Sequence, residues 1–133
     1  MAPVHSDSKG PLHPLSILIR RHSAKRIAEI GILYGSSARR VLKECDDQGI
    51  ELYLMVDPWL PYNDGSSTGR KSTAESMEAM YQDNVKKMQA FPEARIIRKK
   101  SVEAAASIPN GSLDIVYIDA AHDTFSVLSD IHA

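Results

Sequence analysis

The alternation of short apolar runs with longer helical patterns constrains the fold of this chain more than any other feature. From Arg26 onward, runs rich in Ile, Val and Leu are each followed by a stretch whose apolar residues recur at helical spacing. Strands covered on both faces have this continuous apolar character, so the pattern predicts βαβ units and a parallel sheet. The four predicted strands are residues 26–31, 51–57, 94–98 and 113–119.

The predicted helices lie before and between these strands. A short helix opens at Pro14, and the helix after the first strand carries one apolar stripe and ends at Gly49 as C-cap. That stripe is Ala38, Val41, Leu42 and Cys45. The next helix starts at Ser72, where Ser72 and Glu75 have capping-box spacing. Its apolar stripe is Ala74, Met77, Tyr81, Val85 and Met88. Two further helices are predicted, over residues 102–108 and from Asp123 or Thr124.

Composition limits the partners and the compartment. The chain has 133 residues, 43% of them hydrophobic and 25% charged, which fits one soluble domain at residues 13–133 behind a flexible leader at 1–12. A net charge of -1 makes nucleic acid an unexpected partner, and no apolar run is long enough for a membrane span. The single cysteine, Cys45, fits a cytoplasmic protein and is interpreted as a core residue. A homo-oligomer is left open.

The segment after the first strand is a candidate anion site. Glu29 lies near the end of the strand, Gly31 and Gly35 permit a tight turn, and a helix with Ser37 in its first turn follows. The amides at the start of that helix and the Ser37 hydroxyl can hold a carboxylate or phosphate. The alternative is an ordinary strand-to-helix turn. Residues 61–71, after the second strand, are either a lid or a plain surface loop.

Acidic residues end two other strands. Asp57, after the second strand, is placed to accept hydrogen bonds from the ribose hydroxyls of a nucleoside, which implies an adenosine-containing ligand. The neighbouring Trp59 either stacks on a base or packs under the loop. Asp119 and His122 follow the fourth strand, where a carboxylate suits a hard cation and an imidazole can take a proton. For His122, the alternative is a helix N-terminal residue with no catalytic role. The other histidines, His13 among them, are assigned no role.

Taken together, these motifs resemble the class I methyltransferases. More narrowly, the chain is similar to the macrocin-type O-methyltransferases, which are related to the catechol and caffeoyl-coenzyme A groups. The similarity runs from about Arg26 to the last residue. The residues that carry it are Glu29, Gly31, Gly35 and Ser37, then Val56 to Trp59, then Ser101, then Asp114 to Asp119 with His122.

The resemblance implies a Rossmann-like, three-layer αβα fold with a mostly parallel sheet in the order 3-2-1-4. It also implies methylation of a small-molecule hydroxyl by S-adenosylmethionine with help from Mg²⁺. Glu29, Gly31, Gly35 and Ser37 would surround the methionine part of the cofactor, Asp57 the ribose, and Ser101 with Val102 the adenine. Asp119 matches the first metal ligand of the family, and His122 the general base, which is a lysine in the catechol group. Ala121 departs from the caffeoyl-type pattern, which has an aspartate there.

Three further expectations follow. Families of this kind have more strands after the fourth, so the chain is expected to be truncated, with an incomplete metal site. A nicotinamide-dependent oxidoreductase would share the fold and the acidic ribose ligand, although the first turn lacks the G-x-G-x-x-G spacing. A non-catalytic nucleotide-binding or interaction module is the other alternative.

Overall fold

A four-stranded parallel sheet organises the part of the chain that the structure, a computed structural model, describes: residues 10–62, 65 and 71–119. The strand order is β3-β2-β1-β4, as the resemblance implied, and all three strand pairs are parallel. The strands are β1 (Arg26–Ile30), β2 (Leu52–Val56), β3 (Ala94–Ile97) and β4 (Ile115–Ile118). With its flanking helices, the sheet has the Rossmann-like architecture.

Four α-helices accompany the sheet in the described residues. They are α1 (Pro14–His22), α2 (Ser36–Glu44), α3 (Ala74–Lys87, continued by a 3-10 turn at Met88–Ala90) and α4 (Ser101–Ala105). None of the described helices is long and apolar enough to cross a membrane. The predicted leader falls largely on residues 1–9, and the last predicted helix falls on residues 120–133. Both lie outside the described residues.

The core forms between the sheet and these helices. Ile27, Tyr53 and Met55 of the sheet are fully buried together with Leu15 and Ile19 of α1. Cys45 is buried in the same cluster, and burial raises the pKa of its thiol, in agreement with its interpretation as a core residue.

Three predicted helix ends are wrong, and one of them is that of α4, which ends at Ala105 instead of residue 108. The first turn of α3 is capped by Thr73 and Ser76, because the Ser72 hydroxyl is hydrogen-bonded to the backbone of Tyr62 instead. A hydroxyl bound to a loop is not free to accept from a helix amide, so the capping box lies one residue later than the spacing suggested. Helix α2 ends at Glu44, before Gly49, whose positive φ of 66° belongs to the following turn.

The buried face of α3 also differs from its predicted apolar stripe. Met77 and Met88 are buried as expected, whereas Ala74 is exposed. The inward position between the two methionines is taken by Asn84, which is completely buried. A buried amide is stable only where it is hydrogen-bonded, so Asn84 marks a polar contact inside an otherwise apolar interface.

Candidate functional site

The carboxyl ends of the four strands meet at one edge of the sheet. Ile30 is in register with Val56 on one side and Ile118 on the other, and Val56 with Ile97. Backbone bonds extend this alignment by one residue, from Gly31 N to Val56 O (2.9 Å) and from Asp119 N to Ile30 O (2.8 Å). The segments that begin at Gly31, Asp57 and Asp119 therefore leave the sheet side by side, as expected for the ligand-binding edge of an open parallel sheet.

The turn between β1 and α2 is the candidate anion site that the sequence indicated. Gly31 and Gly35 have φ values of 90° and 77°, a region that glycine adopts without strain. Gly35 is the N-cap of α2 and provides no side-chain acceptor, so no capping side chain covers the helix amides. Ser37 lies half-buried in the first turn of α2. These amides and the positive end of the helix favour an anionic group.

Asp57 is buried at the centre of this edge and binds the turn itself. Its Oδ2 accepts the backbone N–H groups of Ile32 (2.8 Å) and Leu33 (3.1 Å), and its Oδ1 accepts that of Trp59 (2.7 Å). A carboxylate has about four acceptor positions, so three are in use. One acceptor position remains for a ligand hydroxyl.

Leu33 is held by hydrogen bonds at its backbone N–H and at its carbonyl oxygen. Its φ is 50°, which is unfavourable for a leucine, and its carbonyl accepts the indole N–H of Trp59 (3.0 Å) and the side-chain amide of Asn84 (2.8 Å). Trp59 is 1% exposed, which favours packing under the turn over stacking on a base. Its ring also contacts Tyr81 of α3, with centroids 5.3 Å apart, and the Arg98 guanidinium covers the Tyr81 ring at 4.3 Å.

Glu29 is a buried acid next to the turn. Its carboxyl group accepts the Tyr53 hydroxyl at 2.5 Å, and it is 1% exposed. Burial raises the pKa of Glu29 to about 7; the Tyr53 hydrogen bond opposes this rise, and the charge of Asp119 adds to it. The group is thus poised to change its charge near neutral pH. The sequence pattern did not indicate the Tyr53 partner, which lies on the adjacent strand.

Near the end of β4, His13 and Tyr117 come together although they are distant in sequence. His13 is the N-cap of α1, and its ring packs against that of Tyr117 with centroids 5.6 Å apart. Asp119, the residue after β4, is exposed. Burial and the Arg40 charge lower the pKa of His13, against the opposing charges of Glu44 and Asp119. His13 Nδ1 accepts the Leu15 N–H, which fixes the tautomer of the neutral ring. Sequence spacing could not reveal this contact.

The remaining predicted site residues lie at the same edge or outside the described part. Ser101 and Val102 begin α4 directly after β3, and Val102 is 56% exposed. Tyr34, in the turn after β1, and Leu60, after β2, are also exposed. His122 and Ala121 lie outside the described residues. Within the described residues, no group of three or more His, Cys, Asp or Glu side chains could hold a metal ion.

The fold defines a Rossmann-like domain, and the carboxyl edge of its sheet carries the candidate site. Residues 28–133 match the family described as "Methyltransferase domain". The chain therefore belongs to that methyltransferase-domain family, as the resemblance implied.

Comparison with known proteins adds one structural relative. No curated protein matches the chain. Among solved structures, it is similar to "cofactor-bound Rv0187 from MTB", with 19% identity and a TM-score of 0.52 over 89% of this chain. The match covers 47% of that protein, so the chain spans about half its length. At this identity, the likeness supports the fold.

Proposed function

We propose that this chain binds S-adenosylmethionine at the carboxyl edge of its sheet and forms the cofactor-binding part of a methyltransferase that acts on a small-molecule hydroxyl. The observation that carries the proposal is the convergence of the Gly31–Gly35 turn, the Asp57 carboxylate and Asp119 on one edge. The family match favours methyl transfer over the nicotinamide alternative.

The residues at this edge fit the chemical groups of S-adenosylmethionine. The uncapped N-terminus of α2, with Ser37, suits the carboxylate of its methionine part, and the buried Glu29 carboxyl suits the ammonium group. The free acceptor position of Asp57 suits a ribose hydroxyl, and the exposed Val102 beside Ser101 suits the adenine ring. The carboxylate, ammonium, ribose and adenine groups of the cofactor thus each have a partner of matching chemistry.

Methyl transfer places simple demands on the protein. When bound, S-adenosylmethionine supplies an electrophilic methyl group on a sulfonium, and the acceptor oxygen must approach in line with the breaking bond. The turn that Asp57 holds by hydrogen bonds would fix the position of the methyl donor. Alignment of the donor with the acceptor oxygen would then require little further loss of freedom. We assign removal of the acceptor proton to His122, which lies outside the described residues.

A divalent cation, Mg²⁺, belongs to the same proposal in a limited form. Asp119 is exposed at the sheet edge and can supply one carboxylate ligand. The described residues include no group of three or more suitable ligands, so by themselves they do not form a metal site. Any further metal ligands must come from outside the described residues.

Calorimetric titration tests the cofactor proposal. We expect S-adenosylhomocysteine, the stable product of the reaction, to bind at one site, whereas NAD gives no binding heat under the same conditions. The reason is that the turn accepts a carboxylate and lacks the glycine spacing for a pyrophosphate. Binding of NAD alone would favour the oxidoreductase. Cofactor binding without methyl transfer to any member of a panel of hydroxyl compounds would favour the non-catalytic module.

Replacement of Asp119 by Ala separates metal binding from cofactor binding. We expect Asp119→Ala to abolish metal-dependent turnover and to leave the Kd for S-adenosylhomocysteine within about twofold, because the exposed carboxylate contributes to the metal and not to the turn. Line broadening by Mn²⁺ near residue 119, measured by NMR, gives a readout independent of activity. Asp83→Ala, at an exposed position of α3, is the control. Equal loss of cofactor and metal binding would contradict this assignment.

A further inference from the structure

One buried side chain at this edge has no role in the proposed chemistry. Asn84 is 0% exposed, and its amide Nδ2 donates to Leu33 O (2.8 Å) and to Met80 O (2.9 Å). Its Oδ1 is buried and has no hydrogen-bond partner among the described residues. A buried polar atom without a partner is unfavourable, so an apolar residue would serve packing alone better at this position.

The side-chain amide of Asn84 lies against the Gly31–Gly35 turn. A Cβ atom built on Gly35 would lie 1.9 Å from Asn84 Oδ1, so the oxygen rests against the Gly35 backbone. On the other side of the same amide, Nδ2 holds the carbonyl of Leu33. One side chain of α3 therefore contacts two residues of the turn, which lie far from it in sequence.

Leu33 shows why such a contact is needed. Its left-handed backbone persists only where the surroundings over-determine it, and three side chains do so. Asp57 accepts its N–H, while Trp59 and Asn84 donate to its carbonyl. The Asp57 and Trp59 contacts both come from the exit of β2. The Asn84 contact comes from α3 and links the turn to that helix.

We propose that Asn84 is a positioning residue that holds the Gly31–Gly35 turn in its cofactor-binding shape without contacting the cofactor. The inference rests on the proposed function and deepens it, because it makes cofactor affinity depend on how α3 packs. Without the Asn84 amide, Leu33 can relax from its strained backbone. The cofactor must then select the ordered turn from a wider set of conformations. Its apparent Kd becomes the intrinsic Kd divided by the fraction of molecules in which the turn is ordered.

The single tryptophan of the chain offers a direct readout, because Trp59 shares the Leu33 carbonyl with Asn84. We expect Asn84→Ala to shift the Trp59 emission of the free protein and to raise the Kd for S-adenosylhomocysteine about tenfold or more. Saturating S-adenosylhomocysteine should return the emission to that of the wild type. Gln82→Ala removes an amide from an exposed position of the same helix and should change neither quantity.

The outcomes separate this inference from the proposed function. Wild-type protein that fails to bind S-adenosylhomocysteine would overturn the proposed function, while the emission of free Asn84→Ala would still decide whether Asn84 orders the turn. Unchanged emission with unchanged affinity in Asn84→Ala would overturn the inference, as would an equal loss in Gln82→Ala. If Asn84→Ala does not fold, Asn84→Asp keeps the volume, replaces the donor by a carboxylate facing the Leu33 carbonyl, and should show the same loss of affinity.

Discussion

Replacement of Asp57 by Ala is expected to destabilise the fold by about 3 kcal/mol or more and to remove measurable cofactor binding. The reason is that three backbone N–H groups, those of Ile32, Leu33 and Trp59, lose their only described acceptor and stay in a buried place. The turn that would bind the cofactor then loses its shape, because the hydrogen bonds that hold it are removed. Urea denaturation and calorimetric titration measure the two effects.

Asp57→Asn and a surface control sharpen this test. The asparagine keeps one oxygen acceptor but presents an NH₂ group toward a backbone N–H, so its stability and affinity should lie between those of wild type and Asp57→Ala. Asp83→Ala removes a half-exposed carboxylate from a surface ion pair and should change stability by less than about 0.5 kcal/mol. An Asp57→Ala protein as stable as this control would show that the turn does not depend on the carboxylate.

The second large effect is a dependence of stability on pH that arises from Glu29. Its pKa is about 7 in the folded protein against an ordinary value of 4.5. Below the ordinary value the carboxyl is protonated in both states. As pH rises toward 7 the unfolded chain loses the proton first, so stability falls across this window by roughly 3 kcal/mol and is flat above it.

Glu29→Gln should abolish this dependence. The glutamine can still accept the Tyr53 hydroxyl, so the variant should match wild type near pH 4.5 and exceed its stability at pH 8. Its affinity for S-adenosylhomocysteine at pH 8 should nevertheless fall, because the charge that faces the cofactor's ammonium is lost. Glu51→Gln, at an exposed position before β2, provides the control for the same exchange. A stability difference that does not change with pH would contradict the account of Glu29.

Much of the fold was predictable because its signals are local. Continuous apolar runs located all four strands within two residues, and right-handed parallel connections with the resemblance gave the strand order. The ends of helices were harder. Ser72 and Thr73 both offer a capping hydroxyl, and only the contact of Ser72 with Tyr62 decides between them.

The candidate site was predictable in its location but not in its internal contacts. The residues at strand ends, Gly31, Asp57 and Asp119, converge because parallel strands share an edge. Asn84 and His13 reach the same region from helices, and the sequence around His13 does not indicate this. For Asn84, one signal existed: a polar residue at a helical position between Met77 and Met88 on a face that is otherwise apolar.

The roles of Asp57 and Trp59 show why sequence assignments of ligand contacts need the structure. An acidic residue at that position was assigned to the ribose, yet most of its acceptor capacity serves the neighbouring turn. Trp59 likewise donates to Leu33 and packs against Tyr81. We therefore expect affinity at this site to depend on the contacts that hold the turn as much as on groups that would touch the cofactor.

The central claim is that one sheet edge forms a single adenosyl pocket, and amide chemical-shift mapping by NMR tests it directly. Upon addition of S-adenosylhomocysteine, we expect the largest shifts at residues 31–37, 57–59 and 101–104, with small shifts at Lys25, Glu51 and Asp114 on the opposite edge of the sheet. Shifts concentrated on that opposite edge, or the absence of shifts at saturating ligand, would contradict the account.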